Sequence, residues 1–430
     1  MTDAADDLGR RTIRKVLWRL IPFIFLCYIV AYVDRVNISF AAKNLQKDLF
    51  LGKDVFGRGA GLFFLGYFLF EIPSNMILRK VGARIWIARI MIVWGLVSMG
   101  MVFVKGMWSF YTVRVLLGLA EAGFFPGMVY YLTYWVPARE RAKAGALFMI
   151  AAPIAMALGG PISGALLEMD GVGGLKGWHW LFLVEGFPAV ILGVLTLRFL
   201  TDSPDKAAWL SVEERAWLKT ELEAERVRKA DQTSTGAFQP LSNPKVWVLC
   251  LIYFLNSTVT YGLFLWLPQM LEEVTGLKGF KLGLVNSIPF IAAILGMILI
   301  GAHSDRKAER KFHVAACAVT AAIGLVLAVA FRKTPALFVL SFAICQMGQR
   351  SVMSVFWAIP PIFLGGAAAA AGIALINAIG NLGGYLGPDM MGELAKRTGG
   401  YSGGLLVLAA AMIGVAVTVS LIRLPKERLA

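Results

Sequence analysis

Apolar residues in this chain arrive as long, closely spaced runs, and each run is about the length that crosses a bilayer as a helix, roughly 20 residues. Twelve such runs are legible, at 16–40, 56–78, 85–104, 108–135, 144–167, 179–200, 245–271, 282–302, 312–331, 336–358, 361–386 and 402–424. Lipid offers the backbone no hydrogen-bond partners, so a spanning segment must satisfy its own N–H and C=O groups. The expectation is an all-α membrane protein of twelve transmembrane helices. Composition agrees, because 58% of the 430 residues are hydrophobic and only 16% are charged.

A net charge of +15 could indicate nucleic acid, but the positions of the basic residues argue otherwise. Arg10, Arg11, Arg14, Lys15 and Arg19 precede or open the first run; Arg79, Lys80 and Arg84 separate the second and third; Arg139, Arg141 and Lys143 separate the fourth and fifth. More basic groups fill 201–245, the loop from Arg306 to Lys311 and the C-terminal tail. The alternate loops hold fewer, so the positive-inside rule places both termini in the cytoplasm. The N-terminus "MTDAADDLGRR" is polar, and the first apolar run has no small-residue cleavage site. The first helix itself is expected to target the membrane.

One long polar stretch divides the runs six and six. The domain expectation is therefore an N-terminal bundle over 1–200, a cytoplasmic linker over 201–244 and a C-terminal bundle over 245–430. Within the linker, Ser211 and Glu214 form a capping box that opens a short helix. Trp209, Leu210, Trp217, Leu218 and Leu222 can share its apolar face, which suits a surface-lying helix. Cys27, Cys250, Cys317 and Cys345 lie in or beside apolar runs without CxxC spacing and read as small packing residues. His179, His303 and His313 have no partner at metal-ligand spacing, so no metal is expected. "GNLGGYLG" and "LGGPISG" lack the strand and lysine of a nucleotide loop and instead let helices approach closely.

Ionisable residues inside the runs carry the functional information, because each is expensive there. They include Asp34 and Arg35 in "YVDRVN", Glu71 in "GYFLFEIPSN", Arg114 and Glu121 in "RVLLGLAEAGFFPG", and Arg350 in "CQMGQRSVMSVFW". Arg114 and Glu121 are seven apart and share a helix face, so both are expected to look into one cavity. Adjacent helical residues point about 100° apart, which sends Arg35 to that cavity and Asp34 toward helix four and Arg114. A static ion-pair network is the alternative, although apolar packing could replace it at little cost. Glu71, beside Pro73, suits a gate better than a substrate contact. Arg350, Ser354 and Trp357 fall at i, i+4 and i+7, so one face carries all three. If that face lines the cavity, Arg350 faces Arg35 and a dicarboxylate could bridge them; otherwise Arg350 packs against backbone carbonyls or reaches a vestibule.

After the second run comes "LRKVGARIW" and after the eighth "GAHSDRKAERK". The pair resembles the repeated G-x-x-x-D-R-x-G-x-R loop of the major facilitator superfamily. The second copy keeps Gly301, Ser304, Asp305, Arg306 and Arg310, while the first keeps Gly82 and Arg84 but lacks the acid. "DRVNISFA", "GYFLFEIPSN", "RVLLGLAEAGFFPG", "YYLTYWVPARERAKA", "WLFLVEGFPAV" and "GIALINAIGNLGGYLGP", in that order, are similar to the anion:cation symporter branch, especially its tartrate, phthalate and hydroxyphenylacetate permeases. The resemblance implies the major facilitator fold of two six-helix bundles and a multi-pass monomer in the bacterial inner membrane. It also implies proton-coupled uptake of an organic carboxylate, with Arg35 and Arg114 attracting the anion and Asp34 and Glu121 taking protons. Tyr32, Tyr67, Ser354, Trp357 and Asn377 match its cavity positions, and Glu71, Asp305 and Arg306 its gating regions. The partners implied are a small organic anion, protons and the bilayer, with no nucleic acid and no cofactor besides the proton gradient.

Counting these charges suggests a mechanism. With Asp34 and Glu121 ionised, the three arginines leave three minus two, or +1; with both protonated they leave +3. Protonation then raises the attraction for an anion, as symport requires. An enzyme would need a nucleophile with its base or a metal cluster, and neither is legible. Exchange or efflux without obligatory proton coupling is the alternative within transport.

Overall fold

The computed structural model describes residues 2–137, 140–141, 151–230, 242–307, 309–363 and 366–422. The N-terminal half holds α1 (Thr2–Asp48), α2 (Lys53–Val81), α3 (Ala83–Met99), α4 (Met107–Glu121), α5 (Phe124–Thr133), α6 (Ala151–Leu167) and α7 (Gly177–Phe199). The linker helix is α8 (Val212–Ala230). The C-terminal half holds α9 (Pro244–Thr275), α10 (Gly279–Lys307), α11 (Lys311–Ala330), α12 (Pro335–Phe356), α13 (Gly366–Asn381), α14 (Gly383–Thr398) and α15 (Ser402–Leu421). Among the described residues ten helical segments are long and apolar enough to cross a membrane, and α6 is a shorter apolar helix. The first parts of the fifth and eleventh expected spans, at 144–150 and 364–365, lie outside the described residues, as do Arg139, Lys143 and 231–241.

One expected span proves to be broken rather than continuous. The fourth stops at Glu121, passes through Ala122 in an extended conformation (ψ 130°), and restarts after Gly123 at φ +90°. Only glycine adopts that φ without strain, and a Cβ there would strike Ser74. Ser74 Oγ donates to the freed Ala122 carbonyl at 2.7 Å, which satisfies the backbone at the break. The eleventh span passes from α13 to α14 at Leu382, whose backbone stays helical (φ −63°, ψ −24°).

Within the N-terminal half α1 packs on α6 and α7, α2 on α4 and α3 on α7; in the C-terminal half α12 packs on α10 and α11, and α9 on α14. The halves meet through α6 with α10, α2 with α14 and α1 with α9. Glycines set the first of these crossings. A Cβ on Gly160, in "LGGPISG", would sit 2.8 Å from the Gly283 carbonyl oxygen, inside ordinary contact distance.

One end of this seam is tied by charge. Lys43 reaches Glu272 (2.6 Å), Lys396 reaches Asp54 (2.9 Å), Arg58 reaches Asp389 (3.2 Å) and Lys53 reaches Glu273 (3.5 Å). Each pair joins the two halves at the end where α1 gives way to α2. Solvent-exposed pairs contribute only about 0–1 kcal/mol each, so this closure is weak enough to reopen.

The linker helix docks on the N-terminal stretch of α1. Ser211 and Glu214 make the expected reciprocal box: Ser211 N–H donates to Glu214 Oε2 at 2.8 Å and Glu214 N–H to Ser211 Oγ at 3.1 Å. Lys15 Nζ donates to the same carboxylate at 2.8 Å, and Leu210 and Leu218 are buried. Burial works against ionisation of Glu214, but hydrogen bonds from Lys15 and the Ser211 backbone, with the charge of Arg11, outweigh it and hold the carboxyl below its ordinary range. A depressed folded-state value means that this stabilisation is complete above the ordinary carboxylate range and is lost as pH falls from there through the lowered folded-state value. Glu214→Gln is expected to lower amide-exchange protection over 211–218 about five- to thirtyfold at neutral pH, the equivalent of about 1–2 kcal/mol. Unchanged protection would show that the box does not hold the helix.

Candidate functional site

Midway along the molecule the halves enclose a cavity of about 180 Å3. Twelve residues line it and nine are aromatic, among them Tyr28, Tyr32, Phe63 and Tyr67 from the N-terminal half and Tyr253, Tyr261 and Trp357 from the C-terminal half. Arg35 is the one charged side chain in that lining; Asn377 and Asn381 add amides. Of the residues expected to line a cavity, Tyr32, Arg35, Tyr67, Trp357 and Asn377 are therefore gathered here.

Arg35 is held from behind. Its Nε donates to Glu121 Oε1 at 2.7 Å, and its Nη2 donates to the same oxygen. Glu121 is 1% exposed. It is the last residue of α4, placed there by the break that Gly123 imposes. Around the guanidinium stand Tyr32 at 5.2 Å, Phe63 at 5.5 Å and Tyr67 at 5.5 Å, measured to the ring centroids. These distances suit cation–π attraction, which strengthens where water is excluded.

Arg114 and Glu121 do not look into the cavity as the helical spacing suggested; they lie behind its aromatic wall. Arg114 lies against the Phe63 ring of that wall, with its Cζ 5.1 Å from the ring centroid, and Glu121 lies behind Arg35, whose Cζ is 5.5 Å from the same centroid. Arg114 is 4% exposed, its Nη2 donates to the Ala60 carbonyl at 3.3 Å, and its Nε has no hydrogen-bond partner. Asp34 turns away from the cavity, where it accepts hydrogen bonds from Ser98 Oγ on α3 and from Asn37 Nδ2 at 2.9 Å.

The C-terminal residues are more dispersed. Trp357 is in the cavity lining, whereas Arg350 and Ser354 are absent from it. Ser354 is exposed and donates to the Ser351 carbonyl at 2.8 Å. Arg350 Nη2 lies 3.2 Å from Met156 Sδ of α6, across the seam, and its Nε is buried without a partner. The shared face of Arg350, Ser354 and Trp357 thus spans more than the cavity, because a helix face about two turns long, roughly 10 Å, outreaches so small a space. Glu71 also reaches across: Asn377 Nδ2 donates to its Oε1 and Tyr253 Oη donates to Asn377 Oδ1, both at 3.4 Å. Asp305 pairs with Arg310 at the far end of α10, and Arg306 is exposed there.

Sequence reasoning missed several residues here. Glu185 is 4% exposed on α7 and accepts from Ser163 Oγ at 2.7 Å; its signal was a lone acid inside the apolar "WLFLVEGFPAV". Phe63 carried no signal, since phenylalanine is ordinary in lipid-facing helices. Two histidines also meet: His303 Nδ1 and His313 Nε2 lie 2.8 Å apart, and His313 Nδ1 lies 2.8 Å from Glu309 Oε2, although among the described residues no group of His, Cys, Asp and Glu is placed to hold a metal ion. Ten residues separate the two histidines in sequence, and the turn between α10 and α11 brings them together.

The comparisons with known proteins bear on this geometry. The family model described as Major Facilitator Superfamily matches residues 24–388. The chain belongs to that superfamily. A relative from Agrobacterium vitis named "Putative tartrate transporter" is 49% identical over 408 residues, covering 95% of this chain and 90% of that protein. A "Quinolone resistance transporter" from Acinetobacter baumannii is 42% identical over 407 residues, covering 95% and 94%. The solved structure of a D-xylose-proton symporter superposes with a TM-score of 0.75 at 14% identity, covering 95% of this chain and 98% of that one; at that identity it shows the fold. The protein is a multi-pass superfamily transporter rather than an enzyme, and its relatives are consistent with the anion:cation symporter branch.

Proposed function

We propose that this transporter is a proton-coupled symporter that imports a small organic carboxylate across the bacterial inner membrane. The substrate class is a dicarboxylate or an aromatic or hydroxy acid, such as phthalate or tartrate. The observation that carries this reading is the Arg35–Glu121 pair, in which the cavity's one charged lining residue is tied to a buried acid. A proton on Glu121 removes the charge that holds Arg35 and frees its planar fork of donors for a carboxylate. Proton and anion then favour the same state, which is the condition for coupling. Rocking of the halves about the cavity would carry both across.

Cavity size and chemistry favour a compact anion. About 180 Å3 is well below the roughly 300–1,000 Å3 of drug-sized ligand sites, and the aromatic wall suits a flat or apolar body. The 49% identical relative named for tartrate supports a carboxylate. Screening thermal stabilisation with mono- and dicarboxylates tests this directly, since a ligand that binds only the folded state raises its apparent stability. Stabilisation by carboxylates and none by the matching amides is expected; none by any carboxylate would defeat the reading.

Arg350 provides the dicarboxylate expectation. Among the described residues it has no carboxylate partner, and its field reaches Tyr32 and Tyr261 of the cavity wall. Arg350→Ala is expected to weaken dicarboxylates roughly tenfold to a hundredfold, the equivalent of about 1.5–3 kcal/mol for a lost charged hydrogen bond. Monocarboxylates should be little affected. An unchanged preference in competition uptake would remove Arg350 from the site. Export or exchange is the second reading, favoured by the 42% identical relative named for quinolone resistance.

A further inference from the structure

Outside the cavity lining, four helices contribute to one buried polar network. Asp34 and Asn37 come from α1, Ser98 from α3, Ser163 from α6 and Glu185 from α7, and each is no more than 4% exposed. Ser98 and Asn37 donate to Asp34 Oδ1, and Ser163 donates to Glu185 Oε1 at 2.7 Å. Asn37 also faces Glu185, and the charge of Asp34 reaches it. The second carboxyl oxygen, Glu185 Oε2, is shielded from solvent and has no hydrogen-bond partner.

Charge in this region does not balance if every acid is ionised. Three buried acids, Asp34, Glu121 and Glu185, share two cations. Arg35 is bound to Glu121, and the field of Arg114 reaches Asp34 and Glu121. Helices α1, α3 and α6 pack on α7, and the polar groups they present toward Glu185 are Asp34, Asn37 and Ser163. The other ionisable groups of α7, His179 and Arg198, lie toward its two ends. A carboxylate at this depth, with one hydroxyl donor and an acid as its charged neighbour, is costly, and such a group is neutralised instead.

We propose that Glu185 carries a proton and that Asp34, Asn37 and Glu185 form a second proton site, separate from the Arg35–Glu121 pair. The hydroxyl sits on the oxygen left unpartnered, Oε2, while Oε1 remains the acceptor for Ser163. When Asp34 is ionised, the proton can pass to it: one O–H bond breaks at Glu185, one forms at Asp34, and the negative charge moves to Glu185. Asn37 holds the two carboxyls in one network. The consequence for transport rests on the symport reading given above; the protonation itself does not.

Infrared spectroscopy of the full chain in lipid tests the site without substrate. The wild type is expected to show the carbonyl stretch of a buried carboxylic acid at neutral pH, equally in sodium and in choline salts. That band should vanish in Glu185→Gln. It should shift in Ser163→Ala, which keeps the acid and removes its one hydroxyl donor. A spectrum unchanged by both substitutions would overturn the proposal. So would a band that sodium abolishes, which would make the network a metal-cation site. In proteoliposomes loaded against a pH gradient, Glu185→Gln should lower the limiting accumulation of tartrate about tenfold per pH unit, the weight of one proton. Unchanged accumulation would overturn the proton's part in transport, and absence of gradient-driven uptake in the wild type would defeat the symport reading while leaving the infrared result to decide the site.

Discussion

Glu121→Gln is expected to keep substrate binding and counterflow while losing accumulation driven by a pH gradient. Glutamine preserves the shape of the side chain and an oxygen that can still accept from Arg35, so the cavity wall survives. What it cannot do is change charge. In the wild type, Arg35 donates through two nitrogens to one carboxylate oxygen, and in the proposed symport the arrival of a proton loosens that hold. With a neutral partner in place Arg35 is permanently available, and the anion binds without regard to pH. The pH dependence of binding should flatten as well. Retained gradient-driven accumulation in this variant would contradict the assignment of Glu121 as a coupling acid.

The second large effect is expected at Arg35 itself. Arg35→Ala removes the one charged side chain in the cavity lining and strands Glu121, which is 1% exposed. Breaking a buried pair from one side costs about 3–5 kcal/mol, so stability and binding should both fall, binding by roughly a hundredfold or more. A second variant separates these losses. In Arg35→Ala/Glu121→Gln no buried charge is left alone, so thermal stability should largely return while carboxylate binding stays absent. Lysine should not rescue function, because an ammonium has neither the planar fork nor the broad flat face that stands near Tyr32, Phe63 and Tyr67. Carboxylate binding by the double variant would show that the anion is held elsewhere.

Residues that must answer to lipid were the most legible. A spanning backbone has to be helical, so the length of an apolar run locates a helix almost without reference to its neighbours. The break at Gly123 was not legible, because 45 glycines are spread along this chain and only the packing of Ser74 shows which one turns the backbone. Intramembrane charges flagged the site, and Arg35 and Glu121 meet there. Helical spacing alone could not show that Arg114 would lie against Phe63 and Glu121 behind Arg35, both outside the cavity lining. Arg350 and Ser354 share the helical face of Trp357, yet the cavity is too short to touch all three. Glu185 stood in plain view as an acid in an apolar run, but no charged partner lies on its own helix to suggest what it does; its neighbours come from α1 and α6.

Glu185 also enters the charge count. Ionised, it would bring three acids level with Arg35, Arg114 and Arg350; protonated, as proposed, it leaves three minus two, or +1, when Asp34 and Glu121 are ionised. Each further proton taken up then adds one positive charge to that site.

The central claim is that proton entry and anion entry are one coupled event. Purified protein in proteoliposomes, given an inward proton gradient and radiolabelled tartrate, tests it most directly when compared with vesicles preloaded with unlabelled tartrate and no gradient. Coupled symport predicts accumulation above equilibrium with the gradient, alkalinisation outside the vesicles in step with uptake, and abolition of accumulation when a protonophore collapses the gradient. Uptake that requires preloading and ignores the gradient would contradict it, and would make the protein an exchanger.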